Sequence, residues 1–341
     1  MYTKEICRNT NIEILRLILM ICIFVLHIFV HGYGFKNYGN SDYELNPYIT
    51  FVFVSLFAPA TYCFMFISGY YGIRFSLKKF ITMELWLVFV SIFTCAVKIS
   101  FIPSDKFDFK GIVYSVFCSL FPVSTFHWWF MTNYMLLFLL IPILNMGLEK
   151  ITKKQFQIIL FGLLIYNVIS FLRLNIGGGS DFIGLLTIFL LGRYCMVYSY
   201  RIRKKSALLI FLLCWIILFA LMMACNLVSH KSVFLLLNYN TPFIFVMALS
   251  LFYYVKGLKE IHSSHVNMLL RPTLFIYLLT EGISLPLYKW LAKLFSLHIV
   301  EGIIAFIMVI VGSLILGHLI IYIVSKIIDK SSKLNLSILD K

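Results

Sequence analysis

Long apolar runs separated by short polar segments fill this chain from residue 13 to residue 325. Each run holds about 17 to 24 residues, the length that an α-helix needs to cross a hydrocarbon core of about 30 Å. The runs cover residues 13–31, 49–68, 81–101, 126–145, 156–172, 182–199, 206–226, 241–257, 273–290 and 302–325. The pattern predicts an all-α, polytopic integral membrane bundle of about ten transmembrane helices, with residues 1–341 forming a single domain.

The loops between the runs are short, with one longer outer loop at residues 102–125. A short apolar piece within this loop could lie in the membrane interface or re-enter the bilayer, and its length does not decide between them.

Composition and charge support the same class. Hydrophobic residues make up 61% of the chain and charged residues only 13%, whereas soluble domains are about 25% charged. The net charge of +15 does not indicate a nucleic-acid partner, because the basic residues fall between the apolar runs instead of forming one patch. Most of them lie on one side of the membrane if the N-terminus is cytoplasmic, which predicts that both termini are cytoplasmic.

The first apolar run contains ionisable residues on one helical face. Arg16 and His27 are eleven residues apart, which places them on the same face about 16 Å apart along the axis, together with Glu13 and His31. Ionisable groups at membrane depth are costly and indicate a functional site by default. Glu13 precedes Arg16 by three residues, so an intrahelical ion pair with a structural role for Arg16 stays open beside a functional contact.

Several stretches resemble a known family. Asn11 to Arg16, followed by ten residues and His27, resembles the Arg-x10-His signature of the membrane acyltransferase-three family, whose members O-acylate surface glycans. Further matching stretches are FMFISGY at 64–70, HWWF at 127–130, LIPILN at 140–145, FLLGRY at 189–194 and TLFIYLL at 273–279. The resemblance covers nearly the whole chain.

One departure from the family pattern concerns the ninth span. Members commonly carry Tyr-Leu-x-His there, and this chain has Tyr277, Leu278, Leu279 and then Thr280 and Glu281. Either Thr280 or Glu281 takes over the task of orienting the acceptor, or the activity has drifted.

The resemblance implies a membrane O-acyltransferase of the bacterial cytoplasmic membrane. Such an enzyme moves an acyl group, here expected to be acetyl, from cytoplasmic acyl-CoA to a hydroxyl of a cell-surface or lipid-linked glycan. A hydroxyl needs a positioned base, and an imidazole titrating near 6.5 suits that role. We therefore expect His27 to be the general base, with His31 as the second choice, and Arg16 to hold the acyl donor or Glu13.

The other candidate residues are assigned to the two substrates. The CoA phosphates could be bound by the basic residues Arg74, Lys78, Lys79 and Arg193, although polytopic proteins also carry such residues as orientation signals. Acceptor binding is assigned to Trp129, Tyr277 and Glu281; Trp129 would stack on a sugar or anchor the chain at the interface. Ser68 lacks a G-x-S-x-G context, so Ser68 and Gly69 are interpreted as a close helix contact.

No metal site and no permanently bound cofactor are predicted. The eight cysteines are scattered without a C-x-x-C pair, and the P-loop and dinucleotide fingerprints are absent. The expected partners are membrane lipid, a carbohydrate acceptor and acyl-CoA.

Two other functions compete with acyl transfer. A secondary transporter or exporter of a polysaccharide or its precursor would use the polar face of the first helix as a translocation path, and broken helices with repeated halves would favour it. A non-catalytic partner of a glycan assembly complex is the third possibility, given the missing histidine at position 280.

Overall fold

The computed structural model describes residues 9–35, 46–100, 108–172, 179–228 and 230–333, and in these ranges the chain is helical without any strand. The helices are α1 Thr10–His27, α2 Pro47–Phe57, α3 Ala60–Tyr71, α4 Leu77–Ser100, α5 Phe109–Ser119, α6 Trp129–Lys150, α7 Lys153–Phe171, α8 Phe182–Val197, α9 Lys204–Val228, α10 His230–Leu236, α11 Pro242–Lys256, α12 Ser264–Leu269, α13 Leu274–Ile283, α14 Leu285–Leu297 and α15 Ile299–Lys333. A π-helical turn, Ile28–Gly32, extends α1.

Seven helical stretches in the described residues are long and apolar enough to cross a membrane. They are Thr10–Gly32, Pro47–Tyr71, Leu77–Ser100, Trp129–Lys150, Lys153–Phe171, Lys204–Val228 and Ile299–Lys330. A bent helix pair brings the number to 8 if it counts as one span. The predicted all-α class and multi-pass character are therefore confirmed, while the number of about ten and the cytoplasmic termini stay predictions.

The bent pair is Ser264–Ile283 with Leu285–Leu297, and the bend is 95°. It falls at Ser284, whose φ of 58° and ψ of −127° are not helical. The next helix starts with a proline near its N-terminus, where the missing N–H costs no helical hydrogen bond. The apolar run predicted at residues 273–290 is thus two helices instead of one.

Two further predicted spans are shorter helices than the pattern suggested. The run at 182–199 corresponds to α8 with 16 residues, and the run at 241–257 corresponds to α11 with 15 residues. Both are apolar, but each is shorter than the roughly 20 residues of a typical membrane crossing.

The apolar piece of the 102–125 loop forms α5. Asp108 caps this helix by accepting hydrogen bonds from the backbone N–H groups of Lys110 and Gly111. Its 11 residues extend over only about 16 Å, too short to cross the bilayer. Phe109 and Tyr114 leave about 70% of their surface exposed, an arrangement that favours the interfacial alternative.

The chain divides into two compact units. The first comprises Met1–Gly72 and Thr152–Thr273, and the second comprises Ile73–Ile151 and Leu274–Lys341. In the first unit α3 packs against α1, α8 and α11, and α9 packs against α11. In the second unit α4 packs against α5, α13 and α15. A single domain over residues 1–341 stays a prediction.

Glycine allows α3 and α8 to approach closely. A Cβ on Gly69 would lie 2.1 Å from the carbonyl oxygen of Phe189, and a Cβ on Gly192 would lie 2.5 Å from that of Phe66. The two contacts are reciprocal, since each glycine faces the backbone of the other helix. Beside them, the Ser68 hydroxyl donates to the carbonyl oxygen of Phe64 at 3.3 Å, one turn earlier on α3. This geometry fits the interpretation of Ser68 and Gly69 as a close helix contact.

Candidate active site

The start of α1 is fixed by several hydrogen bonds within the first unit. Asn9 caps the helix by accepting from the N–H of Asn11 at 3.0 Å. The side chain of Asn11 donates to the carbonyl oxygen of Lys259 at 2.8 Å, and the N–H of Thr10 donates to that of Ile261 at 2.8 Å. The helix that carries the predicted catalytic residues therefore has an anchored end.

Arg16 and Glu13 form the ion pair that their spacing suggested. Arg16 Nη1 donates to Glu13 Oε1 at 2.9 Å, three residues apart on α1. Glu13 is buried with 7% of its surface exposed, and Arg16 is half-buried. A charge at this depth requires a partner, and the pair supplies one for each residue. Tyr71, at the end of α3, lies within electrostatic range of both.

His27 and His31 are neighbours at the other end of the first span. Their ring centroids are 5.5 Å apart with an interplanar angle of 59°, and both side chains are half-buried. His27 is the last residue of α1, while His31 lies in the π-helical turn. Such turns are rare and frequent at functional sites. The two imidazoles therefore lie close together, although His31 leaves the regular α-helical face.

Arg193 lies against the end of α3 in the same unit. An added Cβ on Gly72 would lie 2.9 Å from Arg193 Nη1, so the guanidinium covers this glycine directly. Arg193 Nε is buried and has no hydrogen-bond partner among the described residues. A second cation, Lys256 at the end of α11, donates to the Tyr70 hydroxyl and lies 4.0 Å from the centre of its ring. Two cations thus contact the last turn of α3 and the residue after it.

The other three predicted cofactor residues belong to the second unit. Arg74, Lys78 and Lys79 are exposed, and Lys78 Nζ lies 3.7 Å from an oxygen of Asp329. Exposed pairs of this kind contribute little to stability. Their assignment to CoA phosphates stays a prediction.

The predicted acceptor residues also lie in the second unit. Tyr277 is buried, and its ring centroid lies 6.0 Å from that of Phe130. Glu281 accepts a hydrogen bond of 2.7 Å from the Tyr288 hydroxyl. Trp129 is half-buried, whereas the fully buried tryptophan is its neighbour Trp128.

Trp128 links two helices of this unit. Its indole N–H donates to the carbonyl oxygen of Leu278 on α13 at 3.2 Å. This bond fixes the start of α6 beside the segment that carries Tyr277 and Glu281.

An acyltransferase domain family matches residues 9–321 of the chain. This chain belongs to the acyltransferase-three family. The family match includes every candidate residue from Glu13 to Glu281 and supports the coarser part of the predicted function, a membrane acyltransferase. No curated protein and no solved structure matches the chain.

Position 280, where relatives in the acyltransferase-three family commonly have histidine, is a buried threonine here. Thr280 is 1% exposed, and its hydroxyl donates to the carbonyl oxygen of Ile276 one turn earlier at 2.7 Å. The carboxylate of Glu281 lies within electrostatic range of Lys98 and His127. Of the two residues considered as replacements for the histidine, Glu281 is the one that interacts with Lys98 and His127.

Lys98 and His127 were not among the residues predicted for the site. Burial and the nearby Lys98 ammonium lower the pKa of His127 to about 4, while Glu281 opposes this shift. The imidazole is consequently neutral at pH 7. In the described parts of the chain no three His, Cys, Asp or Glu residues converge as a metal site requires.

Proposed function

We propose that this chain is a membrane O-acyltransferase that moves an acetyl group from cytoplasmic acyl-CoA to a hydroxyl of a cell-surface or lipid-linked glycan, in the bacterial cytoplasmic membrane. The observation that carries the proposal is the first span of a confirmed acyltransferase-three chain, which bears the Glu13–Arg16 pair and the adjacent His27 and His31. Four ionisable side chains on one apolar helix are hard to explain by packing.

His27 acts as the general base in this proposal. The acceptor hydroxyl oxygen attacks the thioester carbonyl carbon while His27 takes the hydroxyl proton. The carbon–sulfur bond then breaks, and the leaving CoA thiolate receives the proton from the imidazolium. The products are the glycan ester and free CoA. In this proposal His31, whose ring centroid lies 5.5 Å from that of His27, holds the His27 ring in position.

Arg16 holds the donor. A guanidinium has five N–H donors, and Glu13 accepts from one of its nitrogens, so others remain for a carbonyl or a phosphate. Arg193 and Lys256 are the further cations of the first unit that we assign to the CoA phosphates, in agreement with the unsatisfied Arg193 Nε.

Transfer of labelled acetyl from acetyl-CoA to surface polysaccharide tests the base. We expect His27→Ala and His27→Gln to lower the rate by about 10²- to 10⁴-fold, the usual effect of losing a general base. The matched control is His318→Ala, which removes a half-buried histidine from α15 and should retain full transfer. Full activity in both His27 variants, at equal membrane abundance, would exclude His27 as the base.

Transport is the second candidate, and the broken helix pair at Ser284 is the observation that favours it. A transporter would continue to move glycan after the acyl donor is depleted. An acyltransferase would leave the glycan unmodified under the same condition.

A further inference from the structure

The second unit contains a cavity of about 360 Å³ at the junction of α4, α5 and the segment before α6. Its polar lining includes Lys98, Asp108, Tyr114, Ser115, Ser119 and His127. The volume lies within the range of about 300–1,000 Å³ that small-molecule sites occupy. In the predicted topology the 102–125 loop is on the outer side, where a glycan acceptor is presented.

Lys98 is a half-buried cation that contacts no carboxylate among the residues that the structure describes, since none lies within 4.0 Å of its ammonium. Glu281 attracts it from farther away and accepts a hydrogen bond from Tyr288. Asp108, the acidic residue of the lining, caps α5 by accepting from two backbone N–H groups at 3.1 Å. A ligand anion would supply the missing contact.

His127 adds a neutral polar atom to the same cavity. Its Nε2 is buried and has no hydrogen-bond partner among the described residues. A buried polar atom without a partner is costly and calls for a ligand or water. Because the imidazole is neutral at pH 7, it can donate one N–H to an anionic oxygen.

The two serines of the lining can serve the hydroxyls of a sugar. Ser115 donates to the carbonyl oxygen of Gly111 at 2.8 Å, and Ser119 donates to that of Ser115 at 2.8 Å. Each hydroxyl proton is thereby committed, while the serine oxygens keep lone pairs that accept from ligand hydroxyls. The lining therefore combines one cation, one neutral donor and two hydroxyl acceptors, together with the Asp108 carboxylate that caps α5.

We propose that this cavity binds an anionic group of the acceptor, a carboxylate or a phosphate, with Lys98 as its counter-ion and His127 Nε2–H as a hydrogen-bond donor. The inference rests on the proposed acyl transfer, since it names the class of acceptor that the enzyme takes. Such an anion has two possible sources, the carboxylate of a uronic acid residue and a phosphate next to a lipid anchor. The exposed apolar face of α5, which adjoins the cavity, would accommodate the lipid anchor.

The test uses the full chain in nanodiscs of zwitterionic lipid. Acetyl transfer and equilibrium binding are measured with two matched disaccharides, one ending in glucuronate and the other in glucose. We expect the wild-type protein to prefer the glucuronate form by about tenfold or more in KM and Kd, as one charge-assisted hydrogen bond provides. Lys98→Met should abolish this preference, whereas Lys98→Arg should retain it.

Lys110→Met is the matched control. Lys110 is exposed on α5 and is not part of the lining, so its replacement removes an equal charge from a helix beside the cavity without changing the lining. If Lys110→Met and Lys98→Met weaken glucuronate binding equally, the effect is general electrostatics and the proposed site is refuted.

The remaining outcomes separate the two proposals. Absence of transfer to either disaccharide, together with Lys98-dependent binding of glucuronate, refutes acyl transfer to such acceptors and supports the anion site. Transfer with equal KM for both disaccharides refutes the anion site and supports acyl transfer.

Added phosphatidylglycerol that competes with glucuronate in the wild-type protein, but not in Lys98→Met, identifies a lipid phosphate as the occupant. Glucuronate binding that anionic lipid does not alter identifies the glycan.

Discussion

Replacement of Gly69 by alanine should separate the α3–α8 pair. The added Cβ would lie 2.1 Å from the carbonyl oxygen of Phe189, whereas ordinary contacts begin near 3.4 Å. The two helices would have to move apart by about 1 Å, since the opposing atom belongs to a helix backbone and cannot rotate away. Arg193 follows Gly192 on α8 and would move with it.

The magnitude follows from two opposing effects. Alanine is favoured over glycine within a helix by about 1 kcal/mol. Overpacking of a well-packed contact costs about 1–3 kcal/mol, and the short distance to a fixed atom indicates the upper part of that range. Gly69→Ala should therefore destabilise the protein by about 1–2 kcal/mol.

Gly162→Ala is the matched control, because a Cβ on Gly162 in α7 would meet nothing within 4 Å. It should stabilise the protein by the helix preference alone, about 1 kcal/mol at most. Thermal unfolding in detergent is monitored by the loss of the monodisperse elution peak. This assay gives the order of the apparent melting temperatures. We expect Gly162→Ala at or above the wild-type protein and Gly69→Ala below it. Equal melting temperatures for the two variants would refute the close-contact interpretation.

Two further predictions concern Gly72, which follows α3, and His127, which lies just before α6. Gly72 has φ 75° and ψ 153°, and an added Cβ would lie 2.9 Å from Arg193 Nη1. Gly72→Ala should therefore destabilise the protein by about 1–3 kcal/mol. The control is Gly147→Ala, whose Cβ meets nothing within 4 Å, and Gly72→Ala should have the lower melting temperature of the two. The folded-state pKa of His127, about 4, is below its ordinary value of 6.5, so between these pH values the unfolded chain binds more protons and stability falls as the pH is lowered. His127→Gln should lose less melting temperature between pH 6.5 and pH 4 than the wild-type protein, and identical pH profiles would contradict the role of burial and Lys98 in that shift.

The polar face of α1 was predictable because it is a local property of one helix. The spacing of Arg16 and His27 needs only the helical repeat, and the Glu13–Arg16 contact needs only a separation of three residues. The π-helical turn at Ile28–Gly32 was not predictable. Its first three residues continue the apolar run, and hydropathy does not distinguish the two hydrogen-bonding patterns.

The cavity around Lys98 and His127 escaped prediction for the opposite reason. Its charged groups are far apart along the chain, and Glu281 joins them only through the packing of α13 against α4. A signal was nevertheless present, since Lys98 is a lone cation near the end of an apolar run. The break at Ser284 likewise lies inside a run that was predicted as one span, and Pro286 is the residue that could have indicated it.

The ion pair at the start of α1 joins the two roles that the sequence left open for Arg16. Glu13 is buried near the helix N-terminus, where the helix dipole favours a negative charge. From there it holds Arg16 Nη1 at 2.9 Å and restricts the orientation of a side chain that otherwise has many rotamers. A guanidinium already ordered in this way loses less entropy when it binds a further oxygen with its remaining N–H groups. A structural pair with Glu13 and the proposed contact with the acyl donor are therefore compatible, and under that proposal the first would prepare Arg16 for the second.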